Sequence, residues 1–184
     1  DLIGAGLGKP NAICVNVTIS ACAKAGDVAR AEGWLNRMPA LGIEADAMSY
    51  NAVIDACARA GDVDRAEFWL SQMREAGLLP NVVSYSSVLH SCAKAGEANR
   101  AESWLKAMIQ DGEEPNAICY NEVIHACAKI GDFSRACKWI DSMTAQGVKP
   151  TVNSYSTIID KLAKGGDIEA AESLLEKMIA AGIK

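Results

Sequence analysis

The stretch Asn51-Ala-Val-Ile-Asp-Ala-Cys-Ala-Arg-Ala-Gly61-Asp62 decides the fold, because it recurs. It returns as Ser86-Ser-Val-Leu-His-Ser-Cys-Ala-Lys-Ala-Gly96-Glu97 and as Asn121-Glu-Val-Ile-His-Ala-Cys-Ala-Lys-Ile-Gly131-Asp132. Further copies run from Asn16 to Asp27 and from Ser156 to Asp167. Gly26, Gly61, Gly96, Gly131 and Gly166 are 35 residues apart, and Met38, Met73, Met108, Met143 and Met178 keep the same step. Trp34, Trp69, Trp104 and Trp139 follow it too, with Leu174 in the fifth place. A fixed period of this size is the mark of a solenoid of stacked units.

Within one unit, Tyr50, Val53, Ile54, Cys57 and Ala58 have the i, i+3, i+4, i+7, i+8 spacing of a helical stripe. Ser49 is expected to cap this helix, and Gly61 to end it in a left-handed conformation. Asp62 then caps a second helix whose apolar stripe is Val63, Ala66, Leu70 and Met73. Trp69 flanks that stripe and is expected to pack between units. Gly77 and Pro80 close the unit. The result is a helix–turn–helix hairpin that cannot bury both faces alone, so five hairpins stack around a shared core. The repeats are read as 12–46, 47–81, 82–116, 117–151 and 152–184, with 1–11 a linker or the remnant of a preceding repeat. Pro39 is expected to shorten or kink the second helix of the first repeat. The pattern itself leaves the handedness of the superhelix open.

The bulk composition is that of a globular chain: 184 residues, 50% hydrophobic and 22% charged. No apolar run approaches the roughly 20 residues that span a bilayer. The chain begins at Asp1 and shows no targeting peptide, so the natural N-terminus and any such peptide are expected to lie upstream. Cys22, Cys57, Cys92 and Cys127 share one slot of the apolar stripe, which predicts buried, reduced thiols and an intracellular or organellar setting. Stacked helices lie about 8–10 Å apart, beyond the roughly 7 Å that a disulfide bridges. No zinc-like spacing is present, so neither metal nor cofactor is expected.

The pattern Ser-Tyr-Asn…Ile-Asp-Ala-Cys-Ala-Arg-Ala-Gly-Asp…Ala-Glu…Met…Ala-Gly-Leu-Leu-Pro-Asn resembles a pentatricopeptide repeat, over residues 12–184. The tetratricopeptide repeat fits less well: its period is 34 and its Trp lies in the first helix. The resemblance implies an all-α, right-handed solenoid in a chloroplast or mitochondrion. It implies binding of single-stranded RNA, one base per repeat, with the 5′ end toward the protein's N-terminus. Two side chains of each repeat read the base: the residue after the first-helix aromatic and the last residue of the repeat. On that resemblance Asn16 with Asp46 favours uracil, Asn51 with Asn81 cytosine, and Ser86 with Asn116 adenine. Asn121 with Thr151 implies a pyrimidine, and Ser156 a purine. The residue three before the first reader sandwiches the base: Ile13, Met48, Val83 and Ile118. Asn153 departs from this apolar pattern in the fifth repeat.

Helical spacing carries that line onward. From each sandwiching position the steps run to the reader, then to Ser20, Asp55, His90, His125 or Asp160, then to Lys24, Arg59, Lys94, Lys129 or Lys164. One cation per repeat on this face suits a phosphate backbone. Each feature also has a simpler reading. Asn and Ser near a helix start act as caps, Lys near a helix end is favoured by the dipole, and Ile, Met and Val can be core. His90 and His125 have no carboxylate or Cys at ligand spacing and read as groove or surface residues. The net charge of −5 argues against a nucleic-acid partner. It favours a second expectation, a protein-binding or architectural subunit of an organellar assembly. Asp27, Glu32, Asp62, Asp64 and Glu67, however, sit in second helices and turns, away from the cation line. Some relatives carry an appended deaminase or nuclease domain. Neither an H-x-E with C-x-x-C signature nor a phosphate loop is present here, and no enzyme is expected.

Overall fold

The computed structural model describes residues 11–183. They form ten α-helices: α1 (Ala12–Lys24), α2 (Val28–Arg37), α3 (Ala47–Ala60), α4 (Val63–Glu75), α5 (Val82–Ala95), α6 (Ala98–Gln110), α7 (Ala117–Lys129), α8 (Phe133–Ala145), α9 (Val152–Gly165) and α10 (Ile168–Ala180). A single 3-10 turn, Pro39–Leu41, follows α2. It is the early stop that Pro39 imposes, since proline cannot supply the next helical N–H. Residues 1–10, the bulk of the expected linker or remnant, lie outside the described residues. Asn11 belongs with α1 as its cap, accepting from the Cys14 N–H at 3.0 Å.

The odd-numbered helices pack side by side in one row, α1 on α3, α3 on α5, α5 on α7 and α7 on α9. Each even-numbered helix packs closely on its own partner and, α10 apart, on the next odd helix, whereas even helices meet one another only through long side chains. A stack that touches along one row and splays along the other is curved, with the touching row inside. Small buried residues permit the close inner row: Ala56, Ser91 and Ala126 are fully inaccessible. The core runs through all five hairpins and includes Ile54, Leu70, Leu89, Leu105, Ile124 and Met143.

Gly61 takes a left-handed φ of 76° at the end of α3. The Asp62 N–H then reaches back to the Cys57 carbonyl at 3.0 Å, closing the helix end. Asp62 caps α4 as expected, accepting from the Arg65 N–H at 3.1 Å. The expected cap at Ser49 is corrected. The helix begins three residues earlier, Asp46 is the cap, and Ser49 is the buried third helical residue, which completes a capping box.

Between hairpins the Trp slot does more than pack. The Trp69 indole N–H donates to Glu32 of the preceding repeat at 2.8 Å, and Trp104 and Trp139 donate to Glu67 and Glu102 at 2.6 Å each. An arginine completes each set: Arg65 with Glu32 at 3.6 Å, Arg100 with Glu67 at 2.8 Å, and Arg135 with Glu102. Each Trp also leans on the Tyr of its own hairpin, with ring centroids 6.3 Å apart. At the fourth junction all three polar members change together, to Cys137, Ala170 and Leu174.

Burial alone would raise the Glu102 carboxyl, but the bonds from Arg135 and Trp139 outweigh it and hold it below its ordinary 4.5. A depressed folded value means the clamp contributes fully above 4.5 and loses its contribution as pH falls through the folded value. Glu102→Ala should therefore cost about 2 kcal/mol at neutral pH, from charge-assisted hydrogen bonds lost. That is a drop of roughly 4–8 °C in Tm for a chain of this length. In thermal melts the gap between wild type and variant should narrow in acid.

Cys57, Cys92 and Cys127 are fully buried. Burial pushes the first two thiols up to about 12 and the third to about 11. Cys22 differs from the expectation: it is half-buried, because no described hairpin covers the outer side of α1. All seven cysteines are free, and Cys14 is exposed. Under native conditions a maleimide should label Cys14 first, while Cys57, Cys92 and Cys127 should react only after unfolding.

Candidate nucleic-acid interface

The first turn of each inner helix has backbone N–H groups without helical partners, and a cap must satisfy them. Asp46 Oδ1 accepts from Ser49 N at 2.9 Å, and Asn81 Oδ1 accepts from Val83 and Ser84 N at 3.0 and 3.2 Å. Asn116 Oδ1 accepts from Ile118 and Cys119 N at 2.9 and 3.2 Å. Thr151 also precedes its helix, α9, but there the Ser154 N–H bonds the Thr151 backbone carbonyl at 3.0 Å, and the Thr151 hydroxyl lies 3.3 Å from Ser154 Oγ. The residues read from the sequence as repeat ends are thus the residues that start the next inner helix.

A cap sits at the rim of the inner row, beside the preceding inner helix. There it meets the other residue of its expected pair. Asn16 Nδ2 donates to Asp46 Oδ1 at 3.1 Å, Asn51 Nδ2 to Asn81 Oδ1 at 3.4 Å, and Asn121 Nδ2 to Thr151 Oγ1 at 3.1 Å. Ser86 and Asn116 make no such bond; Ser86 Oγ donates instead to the Val83 carbonyl at 3.0 Å. Ser156 is exposed. Asn16 is the most enclosed reader, with 3% of its surface accessible.

The amide orientation follows from the caps. The oxygen of Asn81 is committed to backbone N–H groups, so its NH2 faces away from its own helix and the group opposite that NH2 must be an acceptor. The same holds for Asn116. Asp46 keeps its second oxygen free of backbone bonds. Burial alone would raise its carboxyl, but the bonds from Ser49, Asn16 and Met48 outweigh this and lower it, so the group is an anion at neutral pH.

A row of apolar side chains stands proud of this rim. Ile13, Met48, Val83 and Ile118 are 69%, 65%, 55% and 60% exposed. They are therefore not core, and no helix of the described structure covers them. Between Ile13 and Met48 lies a cavity of about 310 Å³, floored by Asn16 and edged by Lys24. Asn153, in the fifth place of the row, is exposed and polar.

The cations lie further along the same helices, all exposed at their surfaces. Lys94 and Lys129 donate to the carbonyls of Arg59 and Lys94, the ends of the preceding inner helices. Arg59 pairs with Asp55 and Lys164 with Asp160, each at 2.8 Å. Lys94 and Lys129 are thus rungs between repeats, which spacing alone did not suggest. His90 is another such link: its Nδ1 lies 3.1 Å from Glu122, the residue beside reader Asn121. Sequence reasoning gave this histidine no acidic partner, because the partner sits in the next repeat. Among the described residues no cluster of His, Cys, Asp or Glu is arranged to hold a metal, and no helix is long and apolar enough to cross a membrane.

A model of the PPR repeat family matches residues 10–59, 45–94, 80–129 and 115–164, and a single PPR repeat matches 153–183. The chain belongs to the pentatricopeptide repeat family. No curated protein matches it. Among solved structures, the pentatricopeptide repeat protein PPR10 in complex with an 18-nt psaJ RNA element superposes with a TM-score of 0.86 at 26% identity, covering 97% of this chain and 26% of that one. PPR10 from maize gives 0.81 at 25% identity, over 98% of this chain and 26% of that one. The present pentatricopeptide chain thus spans about a quarter of PPR10. The PPR domain of Arabidopsis thaliana protein-only RNase P 1, in complex with tRNA, gives 0.74 at 16% identity, over 94% and 91% of the two chains, and shares the fold.

The two histidines occupy one slot in neighbouring pentatricopeptide repeats but different surroundings. The hydrogen bond to Glu122 raises His90 above 6.5, while burial lowers His125 below it. An NMR titration should find His90 protonating at the higher pH of the two, and Glu122→Gln should bring the pair closer together.

Proposed function

We propose that the chain binds single-stranded RNA, one base per repeat. The observation that carries this is the row of polar reader–cap pairs beside exposed Ile13, Met48, Val83 and Ile118. A base entering between two such side chains stacks on apolar faces while its edge meets the pair. The likeness to PPR10 solved with RNA supports the same reading.

On this reading the cap selects the ring nitrogen. Uracil presents N3–H, a donor, and suits the free carboxylate oxygen of Asp46. Cytosine N3 and adenine N1 are bare acceptors, and suit the outward NH2 of Asn81 and Asn116. The first reader selects ring size. The long amides of Asn16, Asn51 and Asn121 fill the space beside a pyrimidine. Ser86, shorter and folded back on its own helix, leaves room for a purine, as does Ser156. Thr151 offers a hydroxyl that both donates and accepts, so the fourth place takes either pyrimidine. The expected site is 5′-U-C-A-pyrimidine-purine-3′. Lys24 would meet a phosphate directly, and Arg59, Lys94, Lys129 and Lys164 would turn to phosphates from their internal acceptors, so binding should weaken as salt rises.

Two substitutions test the two axes separately. Asp46→Asn keeps a capping residue, as Asn81 and Asn116 demonstrate in this chain, and should move the first base from U to C. Asn51→Ser copies the third repeat and should move the second base from C to A. Each change of preference should be worth about 1–3 kcal/mol of discrimination. Fluorescence titration of wild type and variants against the matched oligonucleotides, at fixed low salt, reads both. Equal weak binding of every oligonucleotide by every protein would remove the RNA reading and leave the protein-binding, architectural one.

A further inference from the structure

Three serines that cap no helix lie behind the readers. Ser49, Ser84 and Ser154 are fully buried. Each hydroxyl oxygen accepts from the backbone N–H of the cap residue, at 3.2, 3.1 and 3.0 Å. Each has one proton to give, and its shortest acceptor is the reader oxygen of the preceding repeat: Asn16 Oδ1 at 2.7 Å, Asn51 Oδ1 at 2.6 Å and Asn121 Oδ1 at 2.6 Å. The reader amide is therefore held at both ends. Its oxygen is bound by the serine and one of its N–H bonds by the cap. One N–H is left, and the plane of the amide is set.

The third inner junction supplies a natural contrast. At the equivalent slot stands Cys119, also fully buried, and the reader opposite is Ser86, which has no amide to orient. Among the described residues no hydrogen bond joins the two. A hydroxyl stands where an asparagine reader has to be turned, and a thiol where there is none.

Resting on the RNA reading above, we infer that Ser49, Ser84 and Ser154 are positioning residues for base selection: each turns the reader asparagine so that it offers a base a donor and not an acceptor. Without the hydroxyl, the Asn51 oxygen loses its partner and the amide is free to present it to the base. Cytosine has O2 beside N3 to accept the donor, whereas adenine has only C2–H beside N1, so a reader that can offer either atom favours cytosine over adenine less.

The test uses the whole chain with Ser84→Ala and Ser84→Cys. The second variant keeps a side chain that this slot already holds at Cys119, so it retains packing where alanine leaves space. Affinities are measured for oligonucleotides with C or A at the second place, and with U or G at the first. Loss of one hydrogen bond predicts that the C-over-A preference at the second place falls about fivefold in both variants. The preference at the first place should be unchanged, since Ser49 still holds Asn16. A general loosening of the capping box would lower Tm and both preferences together, and that outcome overturns the inference. So does a variant that keeps the wild-type preference at the second place while wild type discriminates; the RNA reading then survives alone. If wild type itself shows no preference at either place, both readings fall.

Discussion

The constraint on which the rest depends is the start of each inner helix. Its free N–H groups need an acceptor, and the chain supplies one immediately after the link from the preceding hairpin. Asp46, Asn81 and Asn116 do this with one oxygen. Because the inner helices stand side by side, a cap on one is a neighbour of the second turn of the one before. Helix start, repeat joint and groove edge are therefore the same residue. Substituting a cap with alanine would cost about 1 kcal/mol for the helix and would also strip the groove of half of a polar pair. Asparagine and aspartate cap almost equally well, so the exchange between them is nearly free for the fold. That is the condition under which a position can vary its chemistry from repeat to repeat without disturbing the stack.

The outer side of the stack is held differently. Glu32, Glu67 and Glu102 each take bonds from an Arg and a Trp of the following hairpin. Removing one member of such a set strands the others, whereas replacing the whole set by apolar residues is often neutral. The fourth junction takes the second route, with Cys137, Ala170 and Leu174. Packing there is looser: α8 touches α9 less extensively than α6 touches α7, and a cavity of about 290 Å³ opens beside Cys137 and Leu174. Local opening follows low contact density, so among the four junctions the fourth is the one with least to hold it.

The period, the two stripes and the Gly–acid turn were legible because each lies within a single helix or turn. Val53, Ile54 and Cys57 declare one face by spacing alone, and Gly61 declares the end. The expected pairs came from the family resemblance, and the geometry adds that three of them are joined by hydrogen bonds, which spacing could not show. What stayed hidden are contacts between repeats. Ser49 sits three residues into its helix, where a small polar residue reads as a cap; its partner Asn16 is 33 positions away. Glu122 lies beside a reader and gives no sign of the His90 it meets. In a strict repeat, residue spacing reports which slot a side chain fills but not which copy of the neighbouring slot it touches.

The cation line sharpens this point. Spacing put one positive charge per repeat on the groove face, and a helix end favours a cation by its dipole alone. Both apply at once. Lys94 and Lys129 neutralise the carbonyl ends of the preceding inner helices, so each charge has a use in the folded chain without any ligand. Arg59 and Lys164 are balanced by Asp55 and Asp160 on their own helices. Exposed pairs of this kind are worth little, so a phosphate could displace the carboxylates cheaply. The displaced acids would then stand beside the strand and repel it. On the proposed reading, the net charge of −5 matters less than this local competition. Lys24, whose helix carries no acid in its last turn, begins the groove with a cation that has no such rival on its own helix.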